Sequence, residues 1–321
     1  MSNQPEVVLA ARQLRKTFRI GFMRKRVDAV TDASFEVHRG EIFGLVGHNG
    51  AGKTTTMKIL MGLIAPDAGS GEILGTPVSS PVARNKVGFL PETPHFYDYL
   101  RPAELLDFFA ELYGLDRVTK KKRIPELIEL VGLRGAEEKQ LRKFSKGMLQ
   151  RLGLAQALLP DSEIVMLDEP QSGLDPLGRK DVREIMMSQR DQGKTVIFSS
   201  HVLPDVEQIC DRIAIMTRGK VVKQGRIEEL LDHTARDVEV IAEPAVRGNI
   251  PSVPDGYPAP TALPDSQRRF VVDSRETADR LIGALLQTGW SVVSVSRRRD
   301  RLEDLFVRET LGQPDTARGA A

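Results

Sequence analysis

Apolar positions change their period several times along the chain. Residues 7–11, 14–20 and 29–37 read as short strands, the last with polar alternation, a pattern that predicts an antiparallel, half-exposed sheet. The continuous run Ile42-Phe43-Gly44-Leu45-Val46 predicts a strand buried on both faces, and Thr54 to Leu60 opens a helix. Residues 62–75, rich in Gly, Pro and Asp, read as a turn segment, and Lys86 to Leu90 as a short strand stopped by Pro91. From Pro102 to about Leu159 the period is helical. Leu105, Leu106, Phe108, Phe109 and Leu112 fall along one stripe, and Leu127, Ile128, Leu130 and Val131 along another. Two buried strands follow, Ile164 to Leu167 running into Asp168-Glu169-Pro170 and Thr195 to Ser200 ending at His201. A helix over 206–210 and a hairpin of 212–217 and 220–224, turned by Arg218-Gly219, complete this part.

Beyond about Leu231 the pattern shifts. Pro244, Pro251, Pro254, Pro258, Pro260 and Pro264 exclude regular helix or central strand between them. Around that loop, strands are expected at 238–241, 270–272 and 290–296, with a last helix at 302–311. A further helix at 275–287 has Ser274 as N-cap and Gly289 closing it, with Ala278, Leu281, Ile282, Leu285 and Leu286 on one face. The expected organisation is an α/β domain over 7–231, with an antiparallel β subdomain and a helical insertion at about 98–160. A C-terminal α+β domain over 232–312 carries the Pro-rich loop, 244–264, and a flexible tail, 313–321, ends the chain.

Composition narrows the class of partner. Lys+Arg 46 against Asp+Glu 44 gives a net charge of +2 over 321 residues, a balance that does not point to nucleic acid. Cys210 is the single cysteine, so no intrachain disulfide is possible and a reducing compartment is expected. The start has no secretory pattern, and no apolar run approaches the ~18 residues needed to span a bilayer. A soluble chain that reaches a membrane only through a partner is the expectation. Two basic clusters stand out. Gly21 to Arg26 is a hairpin tip, either a solvated turn or a contact for anionic lipid or a partner. Lys120-Lys121-Lys122-Arg123 reads as a solvated helix face.

The chemistry gathers around one loop. Gly47-His48-Asn49-Gly50-Ala51-Gly52-Lys53-Thr54-Thr55 lies between a buried strand and a helix, the context a P-loop requires. Glycines let backbone N–H groups close around a polyphosphate, the helix start adds its free donors, Lys53 supplies a full charge, and Thr54 can ligate Mg²⁺. Asp168, after four apolar residues, fits a carboxylate that holds the Mg²⁺ hydration shell, and Glu169 is placed to accept a proton from the attacking water. His201 at the next strand end can donate to the γ-phosphate. Ser145 and Gly147, ahead of a helix, can offer N-cap-type donors to an anion. Phe18 is either a stacking platform for adenine or a core aromatic.

Taken together, the loop at 47–55, Ser145-Lys146-Gly147-Met148, Leu167-Asp168-Glu169-Pro170, Ser172-Gly173-Leu174-Asp175 and Ser200-His201 resemble the ordered motifs of an ABC-type ATPase. The resemblance covers about residues 7–231. It implies a P-loop NTPase core of ABC type that binds and hydrolyses ATP with Mg²⁺. It also implies that two copies meet head to tail, ATP lying between the P-loop of one and Ser145 and Gly147 of the other, with Asp175 also at the nucleotide. The C-terminal piece, ending Arg301-Leu302-Glu303-Asp304-Leu305-Phe306, is similar to the extension on ATPase chains that serve a separate exporter permease in drug and sodium efflux. That implies a multi-helix membrane permease as partner and a position on the cytoplasmic face of the membrane. Two departures stand out. The family's Ser-Gly-Gly-Gln is Ser145-Lys146-Gly147-Met148, and the usual glutamine of the loop leading to the helical insertion is Glu92, which can reach the metal or the water but adds a negative charge. A soluble ABC protein acting on the ribosome or nucleic acid is the second reading. A single P-loop, no sustained heptads and the neutral charge balance weigh against it.

Overall fold

A computed structural model of the chain describes residues 6–21, 25–231, 238–246, 250–297 and 301–311. Phe22, Met23 and Arg24 of the expected basic tip, and the 313–321 tail, lie outside the described residues. The described residues fall into two compact units, one running up to Ile227 and joined by the stretch from Phe306, the other Glu228–Leu305.

The first unit begins with two long strands, β1 (Val7–Ile20) and β2 (Lys25–His38), paired antiparallel. The sequence pattern predicts two strands where β1 is one. Gln13 takes a left-handed φ of 51°, and its N–H donates to the Ser34 hydroxyl at 2.8 Å. That bulge shifts the register between Ala11 and Leu14, and the pairing then resumes. β3 (Ile42–Val46) is buried throughout and feeds α1 (Lys53–Leu60). The expected turn segment then contains a strand, β4 (Ala68–Ile73), flanked by β5 (Thr76–Pro77) and the short helix α2 (Pro81–Arg84). Gly69 misleads here: its φ is +85°, and a Cβ on it would lie 2.3 Å from the Gln13 carbonyl oxygen. The glycine marks a close backbone approach to the β1 bulge.

β6 (Val87–Leu90) leads to the helical insertion, α3 (Pro102–Leu112), α4 (Arg117–Leu130) and α5 (Lys146–Leu158). The α3 stripe is split: Leu105 and Leu106 are buried, whereas Phe108 and Leu112 are exposed. The basic cluster on α4 also departs from the expected solvated face. Lys120 pairs with Asp107 at 2.9 Å and with Glu111, both on α3. Arg123 donates to the Leu158 and Leu159 carbonyls at the end of α5, at 2.6 and 2.8 Å. Only Lys121 and Lys122 point fully to solvent. The reason is local: α4 lies between two helices whose facing side carries carboxylates and terminal carbonyls, which a cation satisfies.

β7 (Ile164–Asp168), α6 (Pro176–Asp191), β8 (Thr195–Ser200), α7 (Leu203–Ile209), β9 (Arg212–Thr217), β10 (Lys220–Arg226) and the short helix α8 (Ile227–Leu230) follow. Ten strands make one sheet in the order β5-β4-β1-β2-β10-β9-β3-β8-β7-β6. β9, β3, β8, β7 and β6 run parallel, so the C-terminal ends of β3, β7 and β8 open on one edge. That edge is where sheets of this kind place ligands.

The second unit is a four-stranded antiparallel sheet, order β12-β13-β11-β14, of β11 (Val238–Pro244), β12 (Thr261–Ala262), β13 (Arg268–Val272) and β14 (Trp290–Arg297). α9 (Arg275–Gln287) covers one face, its Ala278, Leu281 and Leu285 packed with Phe270 and Trp290, whose rings meet edge-on at 6.5 Å. Ser274 caps α9 through the Thr277 N–H at 3.2 Å, as expected from sequence. Leu286 leaves the expected apolar face and is exposed. α10 (Leu302–Leu311) follows.

Candidate active site

The loop after β3 is folded by its own backbone and by β9–β10. Gly52 takes φ +104°, and a Cβ there would stand 2.5 Å from the Ala29 carbonyl oxygen, so only glycine fits without movement. The Gly219 N–H donates to the Ala51 carbonyl at 3.0 Å, and the Thr56 hydroxyl to the Gly52 carbonyl at 2.9 Å. α1 has no side-chain cap and no acidic residue in its first turn, which leaves its first N–H groups and dipole end for an anion. Lys53 is buried. Its Nζ donates to the Gly47 carbonyl at 2.7 Å and the His48 carbonyl at 3.3 Å, and lies 3.1 Å from Glu169 Oε1.

The sheet supplies the acids. Asp168 and Ser199 are paired residues on the adjacent parallel strands β7 and β8. Asp168 Oδ1 accepts from the Ser199 hydroxyl at 2.6 Å and the Thr54 hydroxyl at 3.2 Å, while its buried Oδ2 has no hydrogen-bond partner. Burial pushes this carboxyl above its ordinary range. The two hydroxyl bonds pull it back, and the neighbouring Glu92 and Glu169 charges push it further up. A divalent cation suits that orphaned oxygen and the Thr54 hydroxyl. Among the described residues no three His, Cys, Asp or Glu side chains converge to hold a metal alone. The orphaned Asp168 oxygen and the Thr54 hydroxyl beside it fit Mg²⁺, which is held by one or two carboxylates, water and phosphate oxygens.

The raised carboxyl has a stability consequence. A group whose folded pKa exceeds its unfolded value favours the fold at low pH and opposes it as pH rises through that window. Asp168→Asn is therefore expected to raise the Tm in magnesium-free neutral buffer while removing magnesium-dependent nucleotide binding. Thermal scans with and without Mg²⁺ and ATP check both halves, and a lower Tm in metal-free buffer would contradict the account.

Glu169 is held on every side. Its backbone adopts φ +48°, its N–H donates to the Ser199 hydroxyl at 2.9 Å, and its carbonyl accepts from Gln150 Nε2 at 3.2 Å and the Ser172 N–H at 3.0 Å. The side chain bonds His201 Nδ1 through Oε2 at 2.8 Å. Glu169 Oε1 forms its ion pair with Lys53 without hydrogen-bond alignment. Ser199 and Gln150 escape the sequence reading. The signal for Ser199 is a polar residue closing the buried apolar run Val196-Ile197-Phe198, whereas Gln150, beside Arg151 in a partly polar stretch, carries none.

A cavity of about 310 Å³ opens over the loop. Asn49, Gly50, Ala51, Gly52, Lys53, Thr54 and Thr55 form its floor, Glu92 and Glu169 one wall, and Val27, Asp28 and Ala29 another. Phe18 does not line it. It is half-buried opposite Val27 on the β1–β2 ladder, with the Lys16 ammonium 5.8 Å from its ring centroid. Ser145 and Gly147 are not in the lining either. Ser145 is the exposed N-cap of α5, accepting from the Met148 N–H at 3.2 Å. Asp175 caps α6, accepting from the Gly178 N–H at 2.9 Å. A larger cavity, about 750 Å³, lies between α3 and α4, where Lys120 is already neutralised by Asp107 and Glu111. The smaller one holds the convergent polar groups.

A family model described as ABC transporter matches residues 30–172. An ABC transporter ATP-binding protein of Synechocystis sp. is 43% identical over 302 residues, covering 92% of this chain and 83% of its own length. This chain belongs to the ABC transporter ATP-binding proteins. It is an ABC-type ATPase, and ATP is its nucleotide. The Nod factor export ATP-binding protein I of Ralstonia nicotianae is 36% identical over 216 residues, covering 66% of this chain and 67% of its own. Among solved structures, an ATP-binding subunit of an ABC transporter superposes with a TM-score of 0.62 at 32% identity, covering 70% of this chain and 91% of its own. A dimeric, post-hydrolysis ATP-binding cassette bound to ADP and Pi, at 20% identity, shares the fold with a TM-score of 0.63, over 68% of this chain and 98% of its own. Among the described residues of this ABC ATPase, no helix is long and apolar enough to cross a membrane.

Proposed function

We propose that this chain powers export: two copies close head to tail on ATP and drive a separate multi-helix membrane permease from its cytoplasmic side. The observation that carries the reading is the division of the expected site. The loop, Asp168, Glu169 and His201 converge, whereas Ser145 and Gly147 stand at the head of α5 outside the cavity. A second copy supplies those donors to the γ-phosphate, and Asp175 joins them at the interface. Phe18, beside Val27, is the platform for adenine.

In this reading Glu169 accepts a proton from water as the water oxygen attacks the γ-phosphorus in line. The bond to the β–γ bridging oxygen breaks, releasing ADP and phosphate. Lys53 and the backbone N–H groups of Gly50 to Thr55 hold the phosphates, and His201 orients the base through its bond to Oε2. Thr54, Asp168 and, on the cavity wall, Glu92 are the residues that would hold Mg²⁺. Bound there, the ion neutralises phosphate charge.

The export direction rests on the likeness to the Nod factor export protein. The permease is supported by an exposed aromatic surface beside the Glu92 loop. Tyr97, Tyr99, Phe108 and Leu112 are all exposed, and the Tyr97 and Phe108 rings meet edge-on at 5.9 Å. Phe108→Asp is expected to cut the amount of chain recovered with membranes several-fold while basal ATP hydrolysis by the isolated chain stays within about two-fold. Pull-down from membranes, with mass identification of the accompanying multi-helix chain, tests the reading. Recovery with ribosomes instead would overturn it.

A further inference from the structure

Glu169 carries a backbone conformation that its neighbours impose. A φ of +48° is costly for a residue with a Cβ, and such conformations persist where the surroundings over-determine them. Ser199 and Ser172, two of the three groups that fix it, belong to the adjoining strand and the following turn. The third comes from elsewhere. Gln150 is 2% exposed and sits on α5, five residues after Ser145. Its Nε2 donates to the Glu169 carbonyl at 3.2 Å across 19 residues of sequence. Beyond Gln150, α5 is buried from Leu152 to Leu158, so the helix is seated as a rod with its Ser145 end exposed.

We infer that Gln150 is a positioning residue for Glu169, transmitting the seating of α5 into the backbone of the catalytic base. Rotation about that peptide swings the carboxylate. A donor fixed on a packed helix restricts the rotation, whereas an apolar side chain of the same length does not. On the head-to-tail reading above, Ser145 at the tip of α5 meets the partner's nucleotide. The same helix then links the occupancy of one site to the base of the other. Only this second step rests on the dimer; the positioning does not.

Gln150→Met keeps the length of the side chain and deletes the donor. Expected is a drop in kcat for ATP hydrolysis of roughly ten-fold, with KM and ATP affinity within about two-fold and Tm close to the parent. An unchanged kcat overturns the proposal, and so does a loss that follows ATP affinity or Tm in parallel. Should the methionine variant fold poorly, the comparison passes to Gln150→His, which retains a donor, and Gln150→Glu, which presents an acceptor to the carbonyl. Retained kcat in the first and loss in the second supports positioning, and equal kcat in both overturns it. Size-exclusion of Glu169→Gln with ATP, with and without Gln150→Met, separates the two readings. A monomer in Glu169→Gln alone removes the dimer and leaves the kcat comparison to judge Gln150.

Discussion

Glu169→Gln is expected to lower steady-state ATP hydrolysis by about 10²–10⁴-fold, the usual range for a general base, while ATP binding survives. The amide keeps the size of the side chain, and its oxygen can still face Lys53, 3.1 Å from Glu169 Oε1. The backbone bonds to Ser199, Gln150 and Ser172 do not involve the side chain, so the local fold stays. On the proposed mechanism, what is lost is the acceptor for the water proton. A closed dimer that forms with ATP and cannot turn it over should then accumulate on size-exclusion. Normal turnover in the variant would remove Glu169 from the role of base, and an ATP-loaded monomer would remove the dimer.

Lys53→Ala acts at an earlier step. The ammonium ties the loop to itself through the Gly47 and His48 carbonyls and faces Glu169 across the cavity. Its removal deletes a charge-assisted contact to phosphate, about 1.5–3 kcal/mol, or ~10–150-fold in Kd. The buried Glu169 carboxylate also keeps only His201 as a bonded partner, so a fall in Tm should accompany the weaker binding. Titration with ATP reads the first effect and a thermal scan the second. Unchanged affinity would argue that the loop amides alone hold the phosphates.

Features that a reader of the sequence finds here are those made by contiguous residues. The run Ile42 to Thr55 and the strand ending at Asp168-Glu169 declare themselves because strand, turn and helix signals follow one another without interruption. The parallel strands are legible because burial on both faces leaves no polar alternation. Where glycine serves a close approach, the signal inverts: Gly69 sits within β4 against the Gln13 bulge, and composition reads it as a turn. Long-range pairings are invisible for a different reason. Ser199 meets Asp168 because β7 and β8 are neighbours in register, and Gln150 meets Glu169 because α5 packs beside that strand end. Neither adjacency is encoded within a window of sequence. Lys120 and Arg123 look like surface charge until α3 and the end of α5 are placed against them.

Those two cations give the helical insertion a mechanical character. Lys120 staples α4 to α3, and Arg123 staples α4 to the carbonyl end of α5. On the proposed coupling to a permease, three helices joined this way would carry load together. Phe108 of α3 is exposed beside Tyr97 of the preceding loop, and Ser145 heads α5. Of the two links, the Lys120 pairs to the exposed Asp107 and Glu111 carboxylates are screened by added salt, whereas the Arg123 bonds go to carbonyls. Concentrated salt should slacken the α3–α4 link before it disturbs the apolar sheet, so on the proposed reading coupling to a permease would weaken while nucleotide chemistry still runs.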